Sequence, residues 1–566
     1  MKRGKIVIVS YYMSGIYPPG HDDVVFHLLA TGYLKAAIDA DKNLSSKYET
    51  VILDFTTNTK DEEVIKQVIE HDPKVVLYST YIWNHEYAFR NSKLLRQLRP
   101  DTHIIFGGPQ VSYNAEEVLR DNPQCDIIVR GDNISVIKMV LDSDFSHKDI
   151  SKIPNLTYMN GGKVISSPGF MKDDLSLISS PYQTGAFNLN DGKKHTVTIE
   201  MSRGCVFRCQ YCVWGDRNVQ MNKFPLDRLL KDVEIIYNNP NIEVVYFLDS
   251  CIFYMPDYAK QIIDKITTCK YKDIPTVLSL DPRVLNEEMI KYLQKIKRMH
   301  NQYQFGLQAV NAETLKTANR YFLVDRFREK IDLLRKVDTN AEIGLDIIFG
   351  LPGDNYETFR DTIDFALKIR ASKIYPSPLL LLPGTPYFHD RDNYKFVADE
   401  KTWMVKSNNT YSEEDMQKTR RFILWVLGIM YYPAIREVIA RACELNPNFR
   451  RINLIDKLIE IIKGRINPEE WITIEYNLES VNLNRRIFMN FLSKPENSLI
   501  VYESALELLK YYNFEELSKD IEDGIDYYTK ICKGVGEEDS PIFDHLDIAA
   551  IKNIKYKWVV SSVTDV

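Results

Sequence analysis

The sequence predicts an α/β fold in three parts: a doubly wound parallel sheet, a partial (β/α)6 barrel and a mostly helical remainder. Two observations support this. Short β-branched apolar runs alternate with amphipathic stretches before residue 150 and again from residue 191, whereas helical patterns alone follow residue 395. Strands that alternate with helices form parallel sheets. Because 566 residues exceed what one core holds, we expect domains at 1–150, 191–395 and 396–566, with a connector at 151–190.

The first 150 residues predict a doubly wound, Rossmann-like sheet. Its candidate strands are short apolar runs, at residues 5–10, 49–55, 74–80, 103–109 and 126–129. Amphipathic stretches at 61–72 and 87–100 predict helices between them. Ligands of such sheets bind beyond the carboxyl ends of the strands, and small residues there let a large ligand approach the backbone.

The alternation of strands and helices resumes after the connector, which itself predicts a hairpin turn at residues 160–162 (Asn-Gly-Gly). Six candidate strands follow, at residues 196–201, 243–249, 276–280, 303–310, 342–350 and 373–382. Six βα units make a partial barrel, with its chemistry expected at the carboxyl ends of the strands. Further on, amphipathic patterns such as 451–465 and 513–533 predict helices.

Charge and hydropathy argue against several function classes. The formal net charge is −6 and no block of Lys or Arg stands out, so nothing supports binding to nucleic acid or to an anionic membrane. The longest apolar run, residues 422–432, is far shorter than the ~20 residues that span a bilayer. The N-terminal run does not have the pattern of a signal peptide. We therefore expect a cytoplasmic protein, in which clustered cysteines stay reduced and more often bind metal than form disulfides.

Three of the eight cysteines lie in one short loop after the first predicted barrel strand. Cys205, Cys209 and Cys212 are separated by three and two residues, and no second Cys pair supplies a fourth ligand. A structural zinc site takes four ligands. A cubane iron–sulfur cluster also normally takes four cysteines, so three leave one iron atom open for a chelating ligand. The pattern favours a [4Fe-4S] cluster over a zinc site or three unrelated buried thiols.

This C-x3-C-x2-C spacing resembles that of the radical S-adenosylmethionine (radical SAM) enzymes. In that family the open iron binds SAM, and an electron from the cluster cleaves SAM to methionine and a 5′-deoxyadenosyl radical. The segments DIIFGLPGD (346–354) and LLPGTPYF (381–388) resemble the family's fifth and sixth strand ends.

The resemblance also implies four SAM-binding residues. Tyr211 corresponds to the aromatic residue that touches the adenine, and Asp249 to the segment that holds the SAM amino group. In the stretch FGLQAVNAETLKTANR, Gln308 corresponds to the polar residue that contacts the ribose of SAM. The resemblance assigns Arg320 to the same SAM-binding stretch. Ala309 stands where the family usually has Ser, so one hydrogen bond is expected to be absent.

The first domain resembles the B12-binding domain of the cobalamin-dependent (class B) radical SAM enzymes. The matching segments are VVLYSTYIWN (75–84), IIFGGPQVS (104–112) and CDIIVRGD (125–132). The resemblance implies bound cobalamin. The residues expected to form a small-residue slot for its nucleotide tail, or to end the last strand beside it, are Ser79, Thr80, Gly107, Gly108, Pro109 and Gly131.

One feature departs from the better-known cobalamin pattern. The motif D-x-H-x-x-G, whose His ligates cobalt, is missing from the loop after the first strand. The near match DTHIIFG (101–107) has its Gly one position late and leads into a strand, and His21 fits a solvated loop residue. We therefore expect cobalamin without a protein His ligand to cobalt.

Taken together, the resemblance implies a methyltransferase that acts on an unactivated carbon or phosphorus atom through a 5′-deoxyadenosyl radical and methylcobalamin. Two alternatives stay open: cyclisation, ring contraction or oxidation without methyl transfer, and a non-catalytic protein that binds or senses cobalamin and a cluster. The expected partners are a small-molecule or peptide substrate and an electron donor of the flavodoxin or ferredoxin type. No motif identifies the substrate.

Overall fold

In the computed structural model of the protein, the first part is a parallel sheet that is covered by helices on both faces. The structure describes residues 3–12, 24–169, 171–214, 221–469, 471–472 and 481–532. The elements of the first part, in chain order, are β1 (Gly4–Tyr12), β2 (Val24–Phe26), α1 (Leu29–Ala40), α2 (Lys42–Lys47), β3 (Tyr48–Thr56), α3 (Asp61–Glu70), β4 (Pro73–Ser79), α4 (His85–Leu98), β5 (His103–Gly107), α5 (Pro109–Ser112), α6 (Ala115–Asp121), β6 (Ile127–Val129), α7 (Ile134–Asp142), α8 (His147–Ile150), β7 (Leu156–Asn160) and β8 (Lys163–Ser166).

The strand order in this sheet is β3-β1-β4-β5-β6-β7-β8. Its first five strands in this order, from β3 at the edge to β6, pair in parallel. Strand β1 shows why both faces are covered. Val7 and Val9 pack into the core on one face, and Ile6 and Ile8 pack into the core on the other. All four side chains are fully buried, which is typical of a parallel strand between two helical layers. The predicted doubly wound sheet is confirmed.

The sheet continues past residue 150, into the segment predicted as a connector. Strands β7 and β8 form an antiparallel hairpin that pairs with β6. Its turn contains Gly161 and Gly162, both with positive φ, as the Asn-Gly-Gly sequence predicts. The hairpin covers the edge that the three-residue strand β6 would otherwise leave unpaired.

The second part of the protein is the predicted barrel. Its elements are β9 (Lys194–Ile199), β10 (Ser202–Arg203), β11 (Asn222–Lys223), α9 (Leu226–Tyr237), β12 (Ile242–Phe247), α10 (Pro256–Thr267), β13 (Thr276–Val277), β14 (Ser279–Leu280), α11 (Glu287–Leu293), β15 (Gln302–Gln308), α12 (Ala312–Thr317), α13 (Val324–Val337), β16 (Glu342–Phe349), α14 (Tyr356–Lys368), β17 (Lys373–Pro378), α15 (Pro386–His389), β18 (Val397–Ala398) and β19 (Val405–Ser407).

The barrel strands form two four-stranded parallel sheets, β2-β9-β12-β13 and β14-β15-β16-β17. Leu278 alone separates β13 from β14, so one interrupted strand joins both sheets into a single curved wall. All six predicted strands are present. The structure adds a seventh, because β2 from the first 150 residues pairs with β9.

Side chains alternate between the two faces of the barrel wall. On β15, Tyr303, Phe305 and Leu307 are fully buried, and Phe305 packs edge-on against Phe327 of α13. The polar residues between them therefore face the lumen. The carboxyl ends of the strands, where the site lies, form one rim of this wall.

In the range 396–566, predicted as mostly helical, the hairpin of β18 and β19 comes first, and residues 533–566 lie outside the described residues. The described residues from 413 onward form helices: α16 (Glu413–Met430), α17 (Pro433–Leu445), α18 (Arg451–Arg465), α19 (Val481–Leu492), α20 (Pro495–Tyr511) and α21 (Lys519–Cys532). Short 3₁₀ turns lie at Leu175–Leu177, Ile252–Tyr254, Met299–Asn301 and Glu515–Leu517. Arg360 and Arg370 on the barrel side pair with Asp456 and Glu437 of these helices. The last helices share one apolar core with the outer face of the barrel.

Within the described ranges, no single helix has the length and apolar composition to cross a membrane. The consecutive pair α16 and α17 meets that test by composition, but the two helices bend by 101° where they meet.

Candidate functional site

The three clustered cysteines lie in the loop that follows β9, at the carboxyl rim of the barrel. The short antiparallel pair β10 and β11 closes the base of this loop, with Ser202 opposite Lys223 and Arg203 opposite Asn222. A loop closed in this way holds its ends in a fixed register.

Each cysteine sulfur has a nitrogen donor beside it. The Phe207 amide lies 3.5 Å from the Cys205 sulfur, and the Trp214 amide lies 3.4 Å from the Cys212 sulfur. The third donor is the Arg320 guanidinium, whose Nη1 lies 3.8 Å from Sγ of Cys209. Donors of this kind stabilise negative charge on sulfur, as the ligands of an iron–sulfur cluster require.

The three cysteines do not form a site for a single metal ion in the described structure. In the described part of the chain, no group of three or more His, Cys, Asp or Glu side chains is arranged to hold one metal ion. A cubane cluster binds its cysteine ligands at different iron atoms and does not need such convergence. His195, the nearest histidine in sequence, instead contacts His27 and Asp191 at 3.0 Å each. The donor set therefore fits a cubane cluster better than a zinc ion.

Backbone contacts hold the cysteine loop against the far side of the rim. The Gln210 amide donates to the Ala318 carbonyl at 3.0 Å, and the Tyr387 amide donates to the Gln210 carbonyl at 3.0 Å. The Asn319 side chain donates to the Arg208 carbonyl at 2.8 Å. The loop is thus attached to segments that follow β15 and β17, so it lies across the mouth of the barrel.

Three of the four predicted SAM-binding residues cluster beside this loop. Arg320 donates to the Tyr211 hydroxyl at 3.4 Å and also to the Gly306 carbonyl. A Cβ atom on Gly306 would lie 2.7 Å from Nε2 of Gln308 and 3.0 Å from Nη2 of Arg320, so both side chains sit over this glycine. Burial raises the pKa of Tyr211 far above its usual value, which keeps its hydroxyl neutral.

Two polar atoms in this cluster are buried without a hydrogen-bond partner among the described residues. They are Oε1 of Gln308, an acceptor, and Nε of Arg320, a donor. Gln308 also has a left-handed backbone, with φ of 66°. Buried polar atoms are normally paired, and strained backbone is concentrated at functional sites. This acceptor and donor fit a polar ligand such as the nucleoside part of SAM.

Asp249, the fourth residue, lies at the end of β12 and is buried. Its carboxylate accepts hydrogen bonds from the amides of Met201 and Ser202 at 2.9 Å each, and from the Ser202 hydroxyl at 2.7 Å. Burial raises its pKa to about 6. Asp249 therefore fixes the start of the cysteine loop, and its contact with the SAM amino group stays a prediction.

One cluster at this rim was not predicted from the sequence. Asp281 follows β14 and accepts from Arg283 at 2.9 Å and from the Tyr254 hydroxyl at 2.7 Å. The Arg283 guanidinium stacks on Phe207 of the cysteine loop, 3.6 Å from the ring centroid. The sequence feature that could have identified Asp281 is its position directly after a predicted strand, because Asp249 was identified at the end of another predicted strand.

In the first domain, the predicted small residues join three strand-end loops. The Thr80 hydroxyl donates to the Gly107 carbonyl at 2.8 Å. A Cβ atom on Gly108 would lie 2.3 Å from the Thr80 carbonyl oxygen. Ser112 accepts from the Gly131 amide at 3.0 Å and donates to the Gly108 carbonyl at 2.7 Å.

These contacts show how the small residues are used. Ser79 and Thr80 are buried, and at Gly108 the missing side chain lets one loop approach another. Gly107 and Gly131 have open space or solvent beside them, and Pro109 begins α5. Gly107 and Gly131 therefore remain the positions that a bound group could approach. His21 lies outside the described residues.

The carboxyl edge of the first sheet faces the cysteine loop. Asp132, in the loop after β6, forms an ion pair with Arg203, its Oδ2 lying 2.6 Å from Nη1. Tyr113, between α5 and α6, occupies the space that a side chain on Gly384 would fill, with a ring atom 2.3 Å from that position. A ligand bound at the edge of the first sheet would therefore lie beside the cysteine loop.

Two family models match the chain. The radical SAM superfamily matches residues 199–366, which contain the cysteine loop and most of the barrel. The B12 binding domain matches residues 25–138, which contain most of the first sheet.

The chain is also similar to an individual protein of known activity. TokK of Streptomyces tokunonensis, a cobalamin-dependent radical SAM methyltransferase, is 23% identical over 250 residues, which are 43% of this chain and 36% of TokK. The match thus spans about a third of that relative's own length.

Two solved structures share the fold. The structure of OxsB, a cobalamin-dependent S-adenosylmethionine radical enzyme, with aqua-cobalamin and SAM bound, has a TM-score of 0.58 and 14% identity over 97% of this chain and 83% of its own. TsrM from Kitasatospora setae, a radical SAM methyltransferase, has a TM-score of 0.53 and 15% identity over 70% of this chain and 77% of its own. With a B12-binding domain followed by a radical SAM domain, on the fold of OxsB and TsrM, the chain has the domain composition of a cobalamin-dependent radical SAM enzyme.

Proposed function

We propose that the protein is a methyltransferase that binds a [4Fe-4S] cluster, SAM and cobalamin, and methylates an unactivated carbon or phosphorus atom of a small-molecule or peptide substrate. The observation that carries the proposal is the position of the cysteine loop opposite the carboxyl edge of the first sheet, across the Arg203–Asp132 pair. A substrate between these two surfaces would lie next to both cofactor sites. TokK and TsrM, both methyltransferases, support the choice of reaction.

The bound groups supply chemistry that side chains lack: the cluster with SAM supplies a 5′-deoxyadenosyl radical, and cobalamin carries the methyl group. The protein supplies their positions. Cys205, Cys209 and Cys212 would hold the cluster. The donors beside their sulfurs stabilise the thiolate charge and orient the loop.

The same rim would hold SAM. Gln308 and Arg320 offer one buried acceptor and one buried donor that have no partner in the described structure. Tyr211, packed against Arg320, would contact the adenine. In the first domain, Gly107 leaves room beside its strand end and Gly131 is exposed, so cobalamin would have space beside both. We propose that no protein histidine ligates its cobalt.

The barrel lumen supports a polar substrate. Gln304 donates to Asp346 at 2.7 Å, Gln302 donates to Gln304, and the Tyr375 hydroxyl donates to Gln302 at 3.3 Å. These side chains come from three neighbouring strands and form one hydrogen-bonded chain. Burial raises the pKa of Asp346 to about 6, so this carboxyl is ionised at neutral pH and can accept from substrate hydroxyl or amine groups.

The electron donor is proposed to be a small flavodoxin or ferredoxin, from family resemblance. Two apolar side chains of the cysteine loop, Val206 and Trp214, are about half exposed, at 52% and 49%. They offer a surface that such a donor could contact close to the cluster ligands.

A second candidate is a cobalamin-dependent cyclisation, ring contraction or oxidation without methyl transfer. It is favoured by the match to OxsB, a cobalamin-dependent S-adenosylmethionine radical enzyme, which covers 97% of the chain against 70% for TsrM.

The products made from SAM distinguish the two candidates. The anaerobic protein, loaded with iron, sulfide and hydroxocobalamin, is incubated with SAM and a chemical reductant, and the products are separated by mass spectrometry. Methyl transfer predicts S-adenosylhomocysteine in the presence of cobalamin and none in its absence. Formation of 5′-deoxyadenosine alone, with or without cobalamin, would favour the second candidate. The Cys205→Ala/Cys209→Ala/Cys212→Ala variant should form no 5′-deoxyadenosine.

A further inference from the structure

Three charged residues meet at the junction between the first domain and the cysteine loop. Arg203 precedes Cys205 by two residues, and its Nε donates to Oε1 of Glu200 at 2.8 Å. Its Nη1 forms the ion pair with Asp132 at 2.6 Å. We call Asp132, Arg203 and Glu200 the ion triad. It links the loop after the last parallel strand of the first sheet to the loop that carries the cysteines.

Aromatic rings fix the direction of the central arginine. The Arg203 guanidinium lies 5.2 Å from the Tyr33 ring centroid and 5.5 Å from that of Phe224. A planar guanidinium stacked on rings has few alternative orientations. Arg203 is thus held in one orientation between the Asp132 loop and the backbone beside Cys205.

The triad is buried at one end and open at the other. The side chains of Arg203 and Glu200 are 16% and 14% exposed, whereas that of Asp132 is 66% exposed and lies next to Gly131. An ion pair open to water contributes little stabilisation. A large group that fills the space beside Asp132 excludes water, and the same charges then attract each other more strongly.

We infer that Arg203 is a positioning residue that couples occupancy of the cobalamin site to the conformation of the cluster loop. Cobalamin beside Gly131 would strengthen the Asp132–Arg203 pair and so hold the loop in its cluster-binding form, and a bound cluster would favour cobalamin in return, because such coupling is reciprocal. The inference rests on the proposed binding of both cofactors and does not depend on methyl transfer.

The test measures binding and needs no substrate. The dissociation constant for hydroxocobalamin is measured by corrin absorbance with the cluster reconstituted, and again in the Cys205→Ala/Cys209→Ala/Cys212→Ala background. The ratio of the two constants reports the coupling. We expect the wild-type chain to bind hydroxocobalamin about fivefold or more tightly with the cluster, since couplings of this kind are typically 5–150-fold. Arg203→Met should bring the ratio to about one, and Asp132→Asn, at an exposed position that the fold tolerates, should do the same.

Arg228→Met is the matched control. Arg228 stacks on the same two rings, 4.1 Å from the Phe224 centroid and 5.3 Å from the Tyr33 centroid, but its carboxylate neighbour is Asp232. It should keep the wild-type ratio. A wild-type ratio in both Arg203→Met and Asp132→Asn, a ratio of one in the wild-type chain, or loss of coupling in Arg228→Met would each overturn the inference. If the wild-type chain bound no cobalamin at all, the proposed function would fail and the inference with it.

Discussion

Nη1 of Arg320 lies 3.8 Å from Sγ of Cys209, although 111 residues separate the two along the chain. The same guanidinium contacts the Tyr211 hydroxyl and the Gly306 carbonyl. One partly buried cation thus joins the cysteine loop to the carboxyl end of β15, and the proposed cluster and SAM sites share a side chain.

Replacement of Arg320 is expected to weaken SAM binding. In Arg320→Met the neutral side chain fills similar space but donates to neither the sulfur nor a ligand, and hydrogen bonds from charged groups contribute about 1.5–3 kcal/mol, or roughly tenfold or more in affinity. Equilibrium dialysis of SAM against iron-loaded protein measures this. Arg326→Met is the control, because its side chain is 73% exposed. Unchanged SAM affinity in Arg320→Met would contradict the assignment.

Replacement of Gln308 is expected to change SAM affinity without lowering thermal stability. Gln308→Gly should leave thermal stability unchanged or slightly higher, because glycine adopts the positive φ without the ~1 kcal/mol cost of a side chain. The same variant loses the buried acceptor Oε1, so its SAM affinity should fall about fivefold or more. Differential scanning calorimetry and SAM dialysis on one preparation provide both values. If SAM affinity stayed at the wild-type value, Gln308 would be structural only.

Asp249→Asn is expected to loosen the cysteine loop. The carboxylate accepts from two amides and a hydroxyl, whereas a side-chain amide has a single oxygen acceptor. Buried donors left unpaired cost about 1–3 kcal/mol each. Iron retained after gel filtration should therefore fall in Asp249→Asn and stay normal in Asp257→Asn, at an exposed position on α10. Full iron retention by both variants would show that Asp249 does not hold the loop.

Asp354 is expected to make the stability of the chain depend on pH. The carboxyl is fully buried after β16, and burial raises its pKa to about 7. The carboxyl of an unfolded aspartate has a pKa of about 4. Between this value and the folded pKa of Asp354, the folded chain therefore keeps a proton on Asp354 that the unfolded chain releases. The free energy of unfolding should therefore fall as pH rises through this window, by about 1.4 kcal/mol per pH unit from this group. Melting temperatures at pH 5 and pH 7 measure the effect, which Asp354→Asn should remove. An equal pH dependence in both proteins would refute it.

The pattern of apolar residues was sufficient to predict the strands that alternate with helices. The apolar run 5–10 packs into the core on both faces of its sheet, so it is recognisable by itself as a strand between helical layers. The cysteine loop is equally local, since three cysteines within eight residues predict its chemistry without the rest of the fold. Gln308 and Arg320 were identified by resemblance, and the structure adds that both side chains lie over Gly306.

Other features depend on contacts between distant segments. Strand β2 has three residues, too few for any periodicity, and it is a barrel strand because β9 pairs with it. The Asp132–Arg203 pair and the Tyr113–Gly384 contact join different domains. Gly108 was expected to make room for a ligand, but the space is taken by Thr80. No local pattern encodes such contacts.

The most direct test is metal analysis of protein purified without oxygen after expression with cobalamin. Iron, sulfide and cobalt are measured per chain, in the wild-type protein and in the Cys205→Ala/Cys209→Ala/Cys212→Ala variant. We predict about four iron atoms and one cobalt per wild-type chain, with iron lost in the variant and cobalt retained at saturating cobalamin. Iron without cobalt would leave the cluster site in place but contradict the proposal that the first domain carries the methyl group on cobalamin.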